Sequence, residues 1–145
     1  KFQFKIVQTF DIFVGEKNGQ KQKKGDLRTP TGTYQLTKQL YKLDQFYGPL
    51  AIVLSYPNDW DQSQNRTGGG IWIHGRPLNG QKRNNYTKGC LALDNQDLKK
   101  LNKKIGKKLQ KSLIILEDGK LFHITKNDLA IILQKIYQWI NAWQN

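Results

Sequence analysis

Between residues 2 and 93 the apolar residues of this chain come only in short runs, and nearly every run is closed by a polar loop holding Gly, Pro or Asn. That punctuation is the pattern of a mainly β fold. Phe2, Phe4 and Ile6 alternate with polar neighbours, the period-two signature of a half-buried strand. Residues 10–14, 33–37, 50–55 and 71–74 are further β-prone runs, and residues 90–93 restart apolar sequence after a break. Residues 16–25 read as a Lys-rich loop. Thr29-Pro30-Thr31-Gly32 reads as a β-turn, with Pro at its second position and Gly at its fourth. Two longer polar loops, residues 56–70 and 75–89, have lengths that in compact domains carry function or motion. The first is the candidate lid. Residues 112–117 and 120–124 flank Asp118-Gly119, a hairpin signal.

Helical periodicity enters only after residue 94. Leu98, Leu101, Ile105 and Leu109 share one helix face, with Asn95 as the expected N-cap and Asp97 in the first turn. Seven lysines between Lys99 and Lys111 fill the opposite face. Leu129, Ile132, Leu133, Ile136, Ile140 and Trp143 form a second stripe, and Ile131, Tyr137 and Trp139 add apolar surface off it. A helix apolar on more than one face wants two partners. Residues 126–145 are therefore expected to be a C-terminal helix that opens a second domain, and residues 1–125 a domain by themselves. The expected fold is β-rich α+β: a compact sandwich of mixed β-sheets, a short helix after the Cys strand, and the C-terminal helix.

A chain of 145 residues can bury a core without metal or disulfide, and its one cysteine, Cys90, excludes a disulfide framework. No run reaches the ~20 apolar residues of a membrane span. There is no methionine, so the chain reads as a mature or excised piece, with any signal peptide expected upstream. The formal net charge is +13, but 20 of the 24 basic residues are Lys. Specific base reading favours the Arg fork, so no nucleic-acid partner is expected. The lysines read as a solvated helix face, or as an attraction to an anionic polymer or surface.

Nucleophilic catalysis needs an activated side chain, a base and oxyanion donors. With one Cys and two His the search is short. Cys90 follows Gly89 at the end of a polar loop, and His74 ends a strand sixteen residues earlier. A loop of that length can return the chain beside that strand, which makes a Cys–His pair easy to form. Other readings stand beside it: a lone cysteine is commonly a small buried hydrophobe, and His74 can be structural. His123, between Phe122 and Ile124, reads as structural. Two His and one Cys are too few for a zinc site, so no metal or cofactor is expected.

Gly70-Ile71-Trp72-Ile73-His74-Gly75, followed by Thr87-Lys88-Gly89-Cys90-Leu91-Ala92-Leu93, resembles the signature of the YkuD-type L,D-transpeptidase family. Upstream, Gly25-Asp26-Leu27-Arg28-Thr29-Pro30-Thr31-Gly32-Thr33-Tyr34 resembles the family's G-D-x-x-T-P-x-G-x-Y segment. Tyr47-Gly48-Pro49 and Tyr56-Pro57-Asn58 fit its murein-processing branch. The resemblance implies that Cys90 is the nucleophile, His74 its base, and the Gly75 carbonyl the group that orients His74. It also implies an oxyanion hole from the N–H groups of Lys88, Gly89 and Cys90. The chain departs from the family pattern at Lys88, where many members have His, and at Ala92, where many carry Arg. Arg76 and Arg83 are the expected substitutes for that Arg in binding a substrate carboxylate. Thr87, Tyr56 and Trp72 complete the residues expected to meet substrate.

Residues 137–143 resemble the opening helix of a nuclear-transport-factor-2-like domain, which follows the catalytic domain in certain L,D-carboxypeptidases. The implied function is a peptidoglycan-modifying cysteine enzyme of a Gram-negative periplasm or cell envelope. It would act on the meso-diaminopimelate–D-Ala bond of tetrapeptide stems through a thioester, as an L,D-carboxypeptidase. The alternatives are an L,D-transpeptidase making cross-links or protein attachments, and a non-catalytic murein-binding module. The implied partners are peptidoglycan stem peptides and a following domain, with no nucleic acid and no membrane insertion.

Overall fold

A computed structural model describes residues 6–117. Residues 1–5, the Asp118-Gly119 hairpin with His123, and the helix expected over residues 126–145 lie outside them. Five strands form one mixed sheet: β1 (Gly32–Leu40), β2 (Ala51–Leu54), β3 (Trp72–His74), β4 (Leu91–Ala92) and β5 (Leu113–Leu116). Their spatial order is β4-β3-β2-β1-β5. All pairings are antiparallel except β3 with β4. The mainly β reading therefore holds.

In β1, buried Tyr34 and Leu36 alternate with exposed Thr33, Gln35 and Thr37, as a strand with one solvated face requires. At the centre of the sheet, β2 reads Ala-Ile-Val-Leu without alternation, because both of its faces are covered. Helix α2 (Asn95–Ile105) lays fully buried Leu98 on the core, with Leu101 and Ile105 packed beside it, while Lys99, Lys100, Lys103 and Lys104 are exposed. The stripe to Leu109 is not one α-helix. Gly106, at a φ of 45°, ends α2, and a 3-10 helix (Gly106–Lys111) continues.

Three local expectations are corrected. The N-cap of α2 is Asp94, and Asn95 spends its side chain elsewhere. Thr29-Pro30-Thr31-Gly32 is not a turn but irregular chain leading into β1, with Thr29 Oγ1 accepting the Gly15 N–H at 2.8 Å. The loop of residues 56–70 contains helix α1 (Asp59–Ser63), set by an Asn58/Asp61 capping box. Asp61 is buried and ion-paired to Arg66 at 2.9 Å. Among the described residues no helix is long and apolar enough to cross a membrane.

Candidate active site

Parallel pairing needs a crossover, and residues 75–89 supply it between β3 and β4. Ile73 faces Leu91 and His74 faces Ala92 across that pair. Ile73 and Leu91 point into the core, so the period of two turns His74 and Cys90 to the opposite face together. Both line one cavity of about 380 Å³.

His74 is fixed on several sides. Its Nδ1 lies 2.8 Å from the Gly75 carbonyl oxygen, which can only accept, so Nδ1 carries the proton. Nε2 is buried and has no hydrogen-bond partner among the described residues. The Tyr47 ring stands edge-on to the imidazole at 5.3 Å and to Trp72 at 5.2 Å. A 3-10 helix (Gln45–Tyr47), capped by Asp44, places that ring, and the Tyr47 carbonyl accepts the Gly75 N–H at 2.8 Å. Asn95 holds the next residue from both sides: Oδ1 accepts the Arg76 N–H at 2.8 Å, and Nδ2 donates to the Arg76 carbonyl at 3.1 Å.

Burial pushes the His74 pKa down to about 4; the Arg83 charge adds to this and the Gly75 hydrogen bond opposes it. Burial likewise pushes the Cys90 thiol up, against the Trp72 N–H and the charges of Arg83 and Lys21. Both groups are therefore neutral near pH 7. The thiol donates to the Gly70 carbonyl at 3.5 Å. Lys21 is itself buried, ion-paired to Asp26 at 2.7 Å.

Two pH-dependent results follow. Alkylation of Cys90 by iodoacetamide should accelerate about tenfold per pH unit from pH 6 to 8, because the thiolate is the reactive form. A fast rate that plateaus in acid would show an imidazolium–thiolate pair and refute the neutral one. Stability should also fall in acid. The unfolded imidazole binds its proton below about 6.5, whereas folded His74 does so only near 4, so stability is lost as the pH drops through that window. The loss attributable to His74 approaches about 3 kcal/mol. Urea midpoints at pH 7, 5.5 and 4 measure it, and a His74→Gln variant with the same pH slope as wild type would contradict the assignment.

Other expected residues sit as follows. Thr87 is buried; its hydroxyl accepts the Gly89 N–H at 3.0 Å and donates to the Cys90 carbonyl at 2.6 Å. Lys88 and Arg83 line the cavity. Arg76 does not: its guanidinium is ion-paired to Asp94 at 2.6 Å and lies 4.3 Å over the Phe13 ring. Trp72 packs behind Tyr47. Tyr56 lies in the core, edge-on to Tyr34 at 5.8 Å, and its hydroxyl donates to the Thr67 carbonyl at 3.2 Å. Phe46 and Tyr47, which form one cavity wall, were missed as site residues. The only sequence signal for them was the Tyr47-Gly48-Pro49 motif.

A comparison with curated proteins gives no match. Among solved structures, the helical cell shape determining protein Pgp2 from Campylobacter jejuni is 37% identical. That match covers 93% of this chain and 46% of that one, with a TM-score of 0.77. Bd1075 from Bdellovibrio bacteriovorus is 27% identical over 97% of this chain and 49% of its own, with a TM-score of 0.74. The chain thus spans about half the length of these neighbours. The L,D-transpeptidase catalytic domain model, YkuD, matches residues 3–120. On that match, the chain belongs to the YkuD family of L,D-transpeptidase catalytic domains.

Proposed function

We propose that the chain is the catalytic domain of a cell-envelope cysteine L,D-carboxypeptidase that removes D-alanine from peptidoglycan tetrapeptide stems. The observation that carries this is the presence in one cavity of the lone Cys90 and a neutral imidazole whose Nε2 is buried and has no partner among the described residues. The thiol turns from the Gly70 carbonyl to Nε2 and gives up its proton as sulfur attacks the carbonyl between meso-diaminopimelate and D-alanine. Gly89 has committed its N–H to Thr87, so the N–H groups of Lys88 and Cys90 are left to hold the oxyanion. The C–N bond then breaks and the leaving amine takes the proton from His74. Water, deprotonated by His74, hydrolyses the thioester to the tripeptide and restores the thiol.

A second reading rests on the family itself, whose model is an L,D-transpeptidase domain. There an amine resolves the same thioester and a cross-link or protein attachment results. Incubating a disaccharide-tetrapeptide with the protein and following products by chromatography and mass spectrometry separates the readings. Loss of one alanine supports the carboxypeptidase, and cross-linked dimers support the transpeptidase. No product from a folded protein with a reduced thiol leaves two readings, a catalytic domain that requires a further domain for turnover and a non-catalytic murein-binding module.

A further inference from the structure

The lysines that follow β4 share one face and stand mostly without counter-charge. Helix α2 turns Leu98 and Leu101 to the core and exposes Lys99, Lys100, Lys103 and Lys104. The 3-10 helix after it exposes Lys108 and Lys111, three residues apart and so on one side of it. Between Leu98 and Lys111 the sequence has no Asp or Glu. Asp97 reaches Lys100 at 2.9 Å, but among the described residues no carboxylate pairs with Lys99, Lys103, Lys104, Lys108 or Lys111. Lys99 stands one turn from Lys103, and Lys100 one turn from Lys104, a spacing at which like charges destabilise a helix. The negative end of the α2 dipole favours Lys103 and Lys104 in the last turn and does nothing for Lys99. The face therefore carries a repulsion that is relieved at one end only.

This face lies across the sheet from the cavity. Leu101 lines an apolar groove with Ile73 of β3 and Leu91 of β4, on the core side of both strands. His74 and Cys90 point to the other side, and none of these lysines lines their cavity. An anion on the lysines is therefore not the stem being cut. Lysine ammoniums are mobile point charges, suited to a repeated and diffuse anion rather than to one fixed geometry. Peptidoglycan, the polymer of the reading on which this inference rests, is such an anion. Its stems carry free carboxylates and repeat along every glycan strand.

We propose that the lysine face of α2 and the 3-10 helix after it is a second, non-catalytic contact with peptidoglycan, which holds the stem carboxylates of one strand while the cavity across the sheet works on another. Two contacts on one polymer lengthen residence there without touching the chemical step. The face then matters for the assembled polymer and not for a soluble fragment, which is too small to reach both.

Cosedimentation with purified sacculi tests this, using Cys90→Ala protein so that nothing is cleaved. A variant combining Lys99→Gln, Lys103→Gln, Lys104→Gln and Lys108→Gln should bind about tenfold or more weakly than its parent. A control combining Lys17→Gln, Lys23→Gln, Lys38→Gln and Lys42→Gln loses the same charge from exposed lysines elsewhere and should stay within about threefold of the parent. Raising the salt from about 0.05 to about 0.5 M should erase the difference between the two. With Cys90 restored, the face variant should keep its kcat/KM on a disaccharide-tetrapeptide and lose about tenfold on sacculi. No binding of the parent at low salt would overturn the proposal, and equal weakening by both sets of substitutions would reduce the effect to net charge and overturn it too. So would binding through the face to vesicles of about 30% phosphatidylglycerol in phosphatidylcholine but not to sacculi, which would make the partner a lipid surface. Protein that binds sacculi through the face yet releases no D-alanine from either substrate would sink the carboxypeptidase reading and leave this contact standing.

Discussion

Cys90→Ala should lower D-alanine release from a disaccharide-tetrapeptide by at least about 10⁴-fold, with thermal unfolding little changed. The size follows from the chemistry. Without sulfur there is no acyl-enzyme, and the Thr87 hydroxyl, which also lines the cavity, is taken up by the Cys90 carbonyl and the Gly89 N–H. His74→Gln should cost less, about 10²- to 10⁴-fold, the usual worth of a positioned base. Its loss should be partly recovered at high pH. There solvent hydroxide can remove the thiol proton that burial retains. A Cys90→Ala protein with measurable turnover would end the nucleophile assignment. A His74→Gln protein with wild-type rate and an unaltered pH profile would end the base assignment.

Much of this was legible because its causes are local. Alternation in residues 33–37 and the unbroken run of residues 50–54 report how many faces of a strand are covered, and β1 and β2 are built accordingly. The stripe of Leu98, Leu101 and Ile105 reports one face of α2. What stayed hidden depends on partners far along the chain. Asn95 looks like a cap, since a polar side chain before an apolar helix has that local use. Its actual partners are the backbone groups of Arg76, nineteen residues away, which no periodicity encodes. Arg76 and Arg83 are equivalent as loop cations in sequence. Only the fold sends one to Asp94 and the other to the imidazole. Helix α1 was the exception, a local signal passed over: Asn58 and Asp61 stand at capping-box spacing within a loop otherwise rich in breakers.

Gly89→Ala should cost roughly 100-fold in kcat/KM and about 2 kcal/mol or more of stability. Gly89 has a φ of 133°, which side-chain-bearing residues rarely adopt. A Cβ there would stand 2.7 Å from the Arg28 carbonyl oxygen, a backbone atom that cannot turn aside. Arg28 is itself anchored, its N–H reaching Asp26 at 3.3 Å, and Asp26 is tied to buried Lys21. Thr87, two residues before Gly89, donates its N–H to the Val14 carbonyl and accepts from the Glu16 N–H. The turn that presents Cys90 therefore rests on two earlier stretches of chain, around residues 14–16 and 26–29. This explains in physical terms why a Gly-Asp-x-x-Thr-Pro segment accompanies a Gly-Cys pair sixty residues later: the first is the seat of the second. If alanine is forced in, the turn must lift from that seat. Cys90 and the N–H groups beside it then move relative to His74, which stays with β3 and the Asn95 clamp. Turnover of the tetrapeptide and the thermal midpoint read the two consequences separately. A Gly89→Ala protein with wild-type values of both would show that the Arg28 contact constrains neither the fold nor the nucleophile.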